Sequence, residues 1–324
     1  MYRKIFALTL LTVLLFGCAP AVTPRAAPTI GSTQPPQAQT EAPIVTSSAI
    51  TLTDGLGRII TLNHPAQRII SMAPSNTEIL FAIGAGSQVV GRDDFSDYPS
   101  AVQSLPKVGG TDKYNTEQII ALHPDLILAA EINTADQVKA LESLGLTVYY
   151  LKNPATLEEM YGDLETVAKL TGHEADASTL IASLKARVAA VDGKIATVTS
   201  RPSVFYELDA TDPAKPYTAG PGTFIDLLIQ RAGGTNIAGT LKDQYPQLSL
   251  EQVVALNPTF ILLGDAAYGA TPDAVKTRPG WGALDAVKNG NVIAIDDNIF
   301  SRPGPRLVDG LELLAKILHP DLFQ

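Results

Sequence analysis

Two stretches of this chain repeat each other. Glu117–Leu128 reads EQIIALHPDLIL and Glu251–Leu262 reads EQVVALNPTFIL, with seven of twelve positions identical at an offset of 134 residues. A second echo runs in the same order, TEILFAIGAG from Thr77 against TFIDLLIQRAGG from Thr223. Each copy of the first motif predicts a short helix that stops near a proline and leads into an apolar strand. A chain that spells this unit twice is expected to build two similar α/β lobes.

The remaining pattern agrees. The short apolar runs RIISMA, QVVG, DLILAA, TVYYL, SVFYEL, FILLG and NVIAID read as buried strands. Helical stretches separate them near Asn76–Ile83, Thr116–Leu122, Thr134–Leu144, Phe224–Arg231 and Leu250–Leu256. Alternating strands and helices imply βαβ units and parallel sheets. The fold class is therefore α/β, with lobe 1 at about 67–154 and lobe 2 at about 200–324. Between them, 155–199 predicts linking helices. TLEEMYGDLETVAKLTG carries an apolar stripe and ends on Gly172, and Glu174–Val198 forms a second helix about 37 Å long at 1.5 Å per residue. A helical bridge is stiffer than extended strands, so limited hinge closure is expected. Ahead of lobe 1, ITLTDGLGRIITL predicts a β-hairpin within 50–66, turning at Asp54-Gly55.

The first 49 residues have a different character. Arg3 and Lys4 precede a 12-residue apolar run, Ile5–Phe16, too short for the roughly 20 residues that span a bilayer. This is the layout of a secretory signal peptide, here 1–17. Leu15-Phe16-Gly17-Cys18 resembles a bacterial lipobox, which makes Cys18 the expected lipidation site; Cys18 is the chain's one cysteine and excludes an intrachain disulfide. The following 18–49 is rich in Pro, Ala, Ser, Thr and Gln and has no aromatic residue, so it is expected to be a disordered tether. The formal charge of −9 becomes −11 on a mature chain of 22 basic and 33 acidic residues. Such a chain is a poor partner for nucleic acid.

Catalytic chemistry is sparse. His64, His123, His173 and His319 do not fall at metal-ligand spacing, and the chain lacks a nucleophile elbow, a phosphate loop and a GxGxxG motif. The adjacent carboxylates Asp93-Asp94 and Asp296-Asp297 are the material for a distant alternative, an extracytoplasmic hydrolase. The expectation is a binding protein, not an enzyme. Phe95, Tyr98, Tyr114, Tyr217, Tyr245 and Phe300 fall in predicted loops, several after predicted strands, where parallel α/β sheets place ligands. Aromatic faces there suit a large flat ligand. Any single one could instead anchor its own loop. Trp281 reads as core. Arg302 and Arg306 flank Pro-Gly-Pro; one of them, Arg306 at a helix start, is expected in a structural ion pair, leaving the other to present its fork.

RIISMAPSNTEILFAIGAGSQVVGRDDFSDYPSAVQSLPKVGG, EQIIALHPDLIL and RPGPRLVDGLELLAKIL together resemble the Fe/B12 periplasmic-binding family, the substrate-binding components of ABC importers for vitamin B12, siderophores and haem. SNTEILFAIG with FSDYP looks most like the cobalamin branch. The resemblance implies the class III architecture, two α/β lobes joined by one long α-helix. It implies that the ligand, cobalamin or a related corrinoid, binds between the lobes against Phe95, Tyr217 and Tyr245, with Arg302 on its polar groups, and the loop reading adds Tyr114 and Phe300 as candidate contacts; iron-siderophore and haem are the alternatives. It places Glu117 and Glu251 as docking residues for the permease, which works with ATPase subunits. A lipid-anchored, extracytoplasmic monomer without a resident cofactor or metal follows. Where cobalamin proteins carry tryptophan, this chain has Asp112-Lys113-Tyr114 and, after the DLILA strand, Glu131.

Overall fold

The computed structural model describes residues 49–110 and 113–323. Signal peptide, Cys18, nearly all of the tether and Asp112 lie outside the described residues. The hairpin is β1 (Ile50–Thr53) paired antiparallel with β2 (Ile59–Leu62). Asp54 builds its turn. One carboxylate oxygen accepts the N–H groups of Leu56 (3.0 Å) and Arg58 (2.9 Å), while the other takes the Arg58 fork. Gly55 then docks the hairpin on the strand β6 introduced below, its N–H donating to Tyr150 O at 2.8 Å. A Cβ at Gly55 would lie 2.7 Å from the Lys152 side chain, so the close approach requires glycine.

All seven apolar runs are strands. The first sheet holds β3 (Ile69–Ser71), β4 (Val89–Arg92), β5 (Leu126–Ala130) and β6 (Val148–Leu151). It is wholly parallel, in the order β4-β3-β5-β6. Helices α1 (Pro74–Ala82), α2 (Thr116–Ala121) and α3 (Ala135–Glu142) make its crossovers. The second sheet holds β7 (Ser203–Asp209), β8 (Tyr217–Thr218), β9 (Thr235–Asn236), β10 (Phe260–Leu263) and β11 (Val292–Ala294). Strands β9, β7, β10 and β11 are mutually parallel and lie in that order; β8 adds an antiparallel pair at the far end of β7. The order β9-β7-β10-β11 matches β4-β3-β5-β6 strand for strand, as the sequence repeat requires. The two-residue strands β8 and β9 escape the hydropathy pattern because they are too short to alternate.

The repeated motif folds alike in both halves. Helix α2 is capped by the Asn115 side chain, and α7 (Leu250–Leu256) by Ser249 in a capping box with Gln252. Just past each helix, and directly before the proline, comes a residue with positive φ, His123 (47°) and Asn257 (39°). Between the halves stand the two expected linking helices, α4 (Leu157–Thr171) and the long α5 (Glu174–Ile195). Thr156 caps α4, and Gly172 turns the chain at φ 79°. At 22 residues α5 spans about 33 Å. The later helices are α6 (Phe224–Arg231), α8 (Pro272–Thr277), α9 (Asp285–Lys288), α10 (Asn298–Ser301) and α11 (Leu307–Leu318). One large core joins residues from both sheets, from α4 and α5 and from α11, and a smaller core lies on the other face of each sheet. The described residues belong to one compact unit, Ser47–Gln324. Trp281 is buried as expected, its indole N–H donating to Pro213 O at 3.1 Å.

Candidate ligand cleft and docking surface

In each sheet the first strand is flanked on one side by the next strand in sequence and on the other by the third, so a switch in winding direction lies at β3/β5 and at β7/β10. Ligands of open α/β sheets bind beyond the carboxyl ends of the strands at such points. The loops leaving those ends in the two halves meet. Arg302, after β11, donates to Asp97 Oδ1 (2.6 Å) in the loop after β4. Burial first, then the charges of Asp297 and of Glu131, which follows β5 in the first half, push the Tyr245 phenol above its ordinary value.

Phe95 stands on the loop after β4, 55% exposed. Its position comes from a buried polar chain. Asp93 Oδ1 accepts the N–H of Phe95 (2.7 Å) and of Ser96 (3.1 Å); the Ser96 hydroxyl bonds Asp93 and, at 2.7 Å, Thr77; Thr77 donates to Ser71 at 2.8 Å. Burial pushes the Asp93 carboxyl up even so. Asp93 is thus spent on the loop. The second carboxylate pair is spent likewise: Asp297 accepts from Tyr206 and Ser301, both at 2.7 Å, and Asp296 faces Arg306 at 3.8 Å. Neither pair forms a free acid/base couple.

Tyr217 and Tyr245 are exposed in the second half, Tyr245 at 60%. Strand β8 and the Tyr245 loop are zipped together: Thr218 N–H donates to Pro246 O (3.0 Å), Gly220 N–H to Gln244 O (2.7 Å) and Leu248 N–H to Pro216 O (3.0 Å). A Cβ at Gly220 would lie 2.2 Å from Asp243 O, so only glycine permits this approach. Tyr114 is half-buried against the small core of the first half, its hydroxyl bonded by Asn133, whose amide also donates to Met72 O (3.2 Å). It anchors the carboxyl edge and offers less face than Phe95.

Two expectations are corrected. Phe300 is 0% exposed and packs edge-on against Tyr206, centroids 6.0 Å apart, so it has no face for a ligand. It is the inward residue of one-turn helix α10, which a loop assignment hides. Arg302 is not a free fork. Its Nη1 donates to Glu78 Oε1 (3.0 Å) and Asp97, and Arg306 bonds the same Glu78 through Nε (2.8 Å) and Nη2 (2.5 Å). Arg302 thus shares the Glu78 junction with Arg306 through Nη1, while its Nη2 reaches only Phe95 O at 3.5 Å. Glu78, on α1 in the first half, is buried. This junction was missed; its signal is the one charged residue in helix α1, PSNTEILFA. Tyr98, named with the loop aromatics, lies exposed beside it with the Arg306 guanidinium 4.1 Å above its ring.

Glu117 and Glu251 are both exposed, each at the second position of its capped helix. Each is followed three residues later by an exposed apolar side chain, Ile120 or Val254.

The model of the family described as periplasmic binding protein matches residues 69–299. Among curated proteins, the uncharacterized ABC transporter substrate-binding lipoprotein YvrC of Bacillus subtilis is 34% identical over 85% of this chain and 87% of its own length. The cobalamin-binding protein of Halobacterium salinarum is 33% identical over 98% of this chain and 86% of its own. Among solved structures, the periplasmic vitamin B12 binding protein BtuF of Vibrio cholerae superposes with a TM-score of 0.68 at 29% identity, covering 80% of this chain and 99% of that one. The periplasmic heme-binding protein RhuT of Roseiflexus, in apo form, superposes at 0.71 with 28% identity, covering 80% and 100%. The chain belongs to the periplasmic binding protein family, whose members are substrate-binding transport proteins rather than enzymes.

Proposed function

We propose that this chain is the substrate-binding lipoprotein of an ABC importer, capturing cobalamin or a related corrinoid between two lobes and delivering it to a membrane permease. The observation that carries the reading is the set of exposed aromatic faces, Phe95, Tyr217 and Tyr245, on loops from the carboxyl edges of both sheets. Flat faces on two sides suit a macrocycle. The names of the Halobacterium and Vibrio relatives support a corrinoid. The RhuT likeness keeps haem, and a likeness to an Fe3+-hydroxamate system keeps siderophores, as the second reading.

Lipidation of Cys18 after removal of 1–17, with 18–49 as tether, would hold the protein at the outer face of the membrane. Glu117 and Glu251 would meet basic groups on two equivalent permease subunits, since the repeat places them identically in the two halves. Incubation with cyanocobalamin, ferric siderophores and haem, followed by desalting and absorbance spectroscopy, tests the ligand. Retention of the corrinoid spectrum alone is expected. Retention of haem or siderophore alone moves the assignment to that class. Retention of none, with turnover of an ester or glycoside, overturns the binding reading.

A further inference from the structure

Phe95 belongs to the first half, yet part of what holds it comes from the second. The segment Arg302–Arg306, RPGPR, lies against the first half. Arg302 and Arg306 share the buried Glu78, and a Cβ at Gly304 between them would stand 3.8 Å from Ser75 O. From that base two contacts reach the Phe95 loop. Arg302 Nη1 donates to Asp97 Oδ1 at 2.6 Å, with Nη2 3.5 Å from Phe95 O. The Arg306 guanidinium stands 4.1 Å over the Tyr98 ring. On the first half's side, Asp93 holds the N–H groups of Phe95 and Ser96, and a Cβ at Gly110 would come within 3.2 Å of the Phe95 ring.

An exposed ion pair contributes little when two long side chains must be ordered to form it. Here the arginine is already ordered. The Arg302 side chain is 14% exposed and tied to Glu78, at 1%, so its fork is in place before Asp97, at 56%, meets it. We infer that Asp97 is a positioning residue for the ligand-facing Phe95. Clamped by Arg302 from the other half, it fixes the Phe95 loop before the ligand arrives, and Arg302 acts on the ligand through Phe95 rather than by direct contact. The inference rests on the reading that the Phe95 ring faces the ligand, and it holds for any flat ligand. A loop ordered in advance spares the ordering cost on binding, worth about three- to tenfold in affinity.

The test is a double-variant cycle, titrating cyanocobalamin into wild type, Asp97→Ala, Phe95→Ala and the two combined. Both side chains are more than half exposed, so native far-ultraviolet spectra are expected throughout. Asp97→Ala should weaken binding about three- to tenfold and Phe95→Ala about tenfold or more. In the Phe95→Ala background, Asp97→Ala should cost less than about twofold further. Asp97→Glu, which keeps a carboxylate within reach of the fork, should recover most of the Asp97→Ala loss. Unchanged or tighter binding by Asp97→Ala, an unweakened Phe95→Ala, no recovery in Asp97→Glu, or the same Asp97→Ala loss in both backgrounds overturns the positioning role; the last result assigns the ion pair a direct ligand contact. If wild type retains haemin or ferrichrome instead of cyanocobalamin, the corrinoid reading falls, and the same cycle on that ligand decides the positioning role. Wild type that binds none of the three overturns both.

Discussion

Removal of the Glu78 carboxylate should be among the most damaging single changes outside the core. Glu78 accepts three hydrogen bonds from two arginines 224 and 228 residues away in sequence, and its side chain is 1% exposed against 14% for Arg302 and 13% for Arg306. Deleting one partner of a buried ion pair costs about 3–5 kcal/mol, because the remaining charge stays desolvated without compensation. Here the two arginines are left unequal. Arg302 keeps Asp97 at 2.6 Å, whereas Arg306 keeps Asp296 at 3.8 Å and the Tyr98 ring. The residual partners and the slight solvent contact place Glu78→Ala near the lower end, about 3 kcal/mol. Glu78→Gln, which retains an acceptor but not the charge, should cost about 1.5–2 kcal/mol. Urea denaturation followed by circular dichroism measures both. Adding Arg306→Ala to the Glu78→Ala chain should recover part of the loss, since it removes the stranded charge. A Glu78→Ala loss under about 1 kcal/mol, or strict additivity in the double variant, would refute the buried junction.

Four other outcomes follow from the geometry. Asp163 on α4 has a buried Oδ2 without a hydrogen-bond partner among the described residues, and burial with the neighbouring Glu159 raises its carboxyl to about 7. The folded state therefore binds this proton more tightly than the unfolded state. Its contribution is full below the ordinary aspartate value of 3.8 and is lost as pH rises to about 7, an effect of about 2 kcal/mol after allowance for partial exposure. The stability difference between Asp163→Asn and wild type should shift in the variant's favour from pH 4 to pH 8; parallel profiles would sink the argument. Gly220→Ala should push the Asp243 carbonyl away and misplace Tyr245, weakening ligand binding several-fold, read by equilibrium dialysis, while the far-ultraviolet spectrum stays native. The Glu117→Ala, Glu251→Ala double variant should keep ligand affinity and lose uptake by cells; lost affinity would refute the docking role. Small-angle scattering should register little change in radius on ligand addition, because the helical link and the Glu78 junction both resist opening, and a wide closure would contradict this.

Much of the architecture was legible because it is written in local signals. The strand-forming runs are apolar and bounded by turn residues, the helices carry Asn115, Thr134, Thr156, Thr223 and Ser249 at their starts, and the repeat announces two halves of one topology. Capping, turn chemistry and hydropathy act between residues a few positions apart, so one sequence suffices to read them. The linking segment was readable as two helices, because its apolar stripes and the stop at Gly172 are local signals too.

The site was legible in its residue types and less so in its roles. Phe95 and Phe300 sit in similar-looking loops; one faces out because Asp93 and Ser96 hold its loop open to solvent, and the other turns inward on a single helical turn against Tyr206. Arg302 reads as a ligand fork until Glu78 and Asp97 occupy it. The buried Glu207 pairs with Arg278, 71 residues further along the chain. Sequence alone thus determined what the segments are, that they form two halves and where the carboxyl edge of each sheet falls. Tertiary structure decided which aromatic faces are bare and which charges are already neutralised, because exposure and ion pairing depend on neighbours up to 228 residues away that no local pattern encodes.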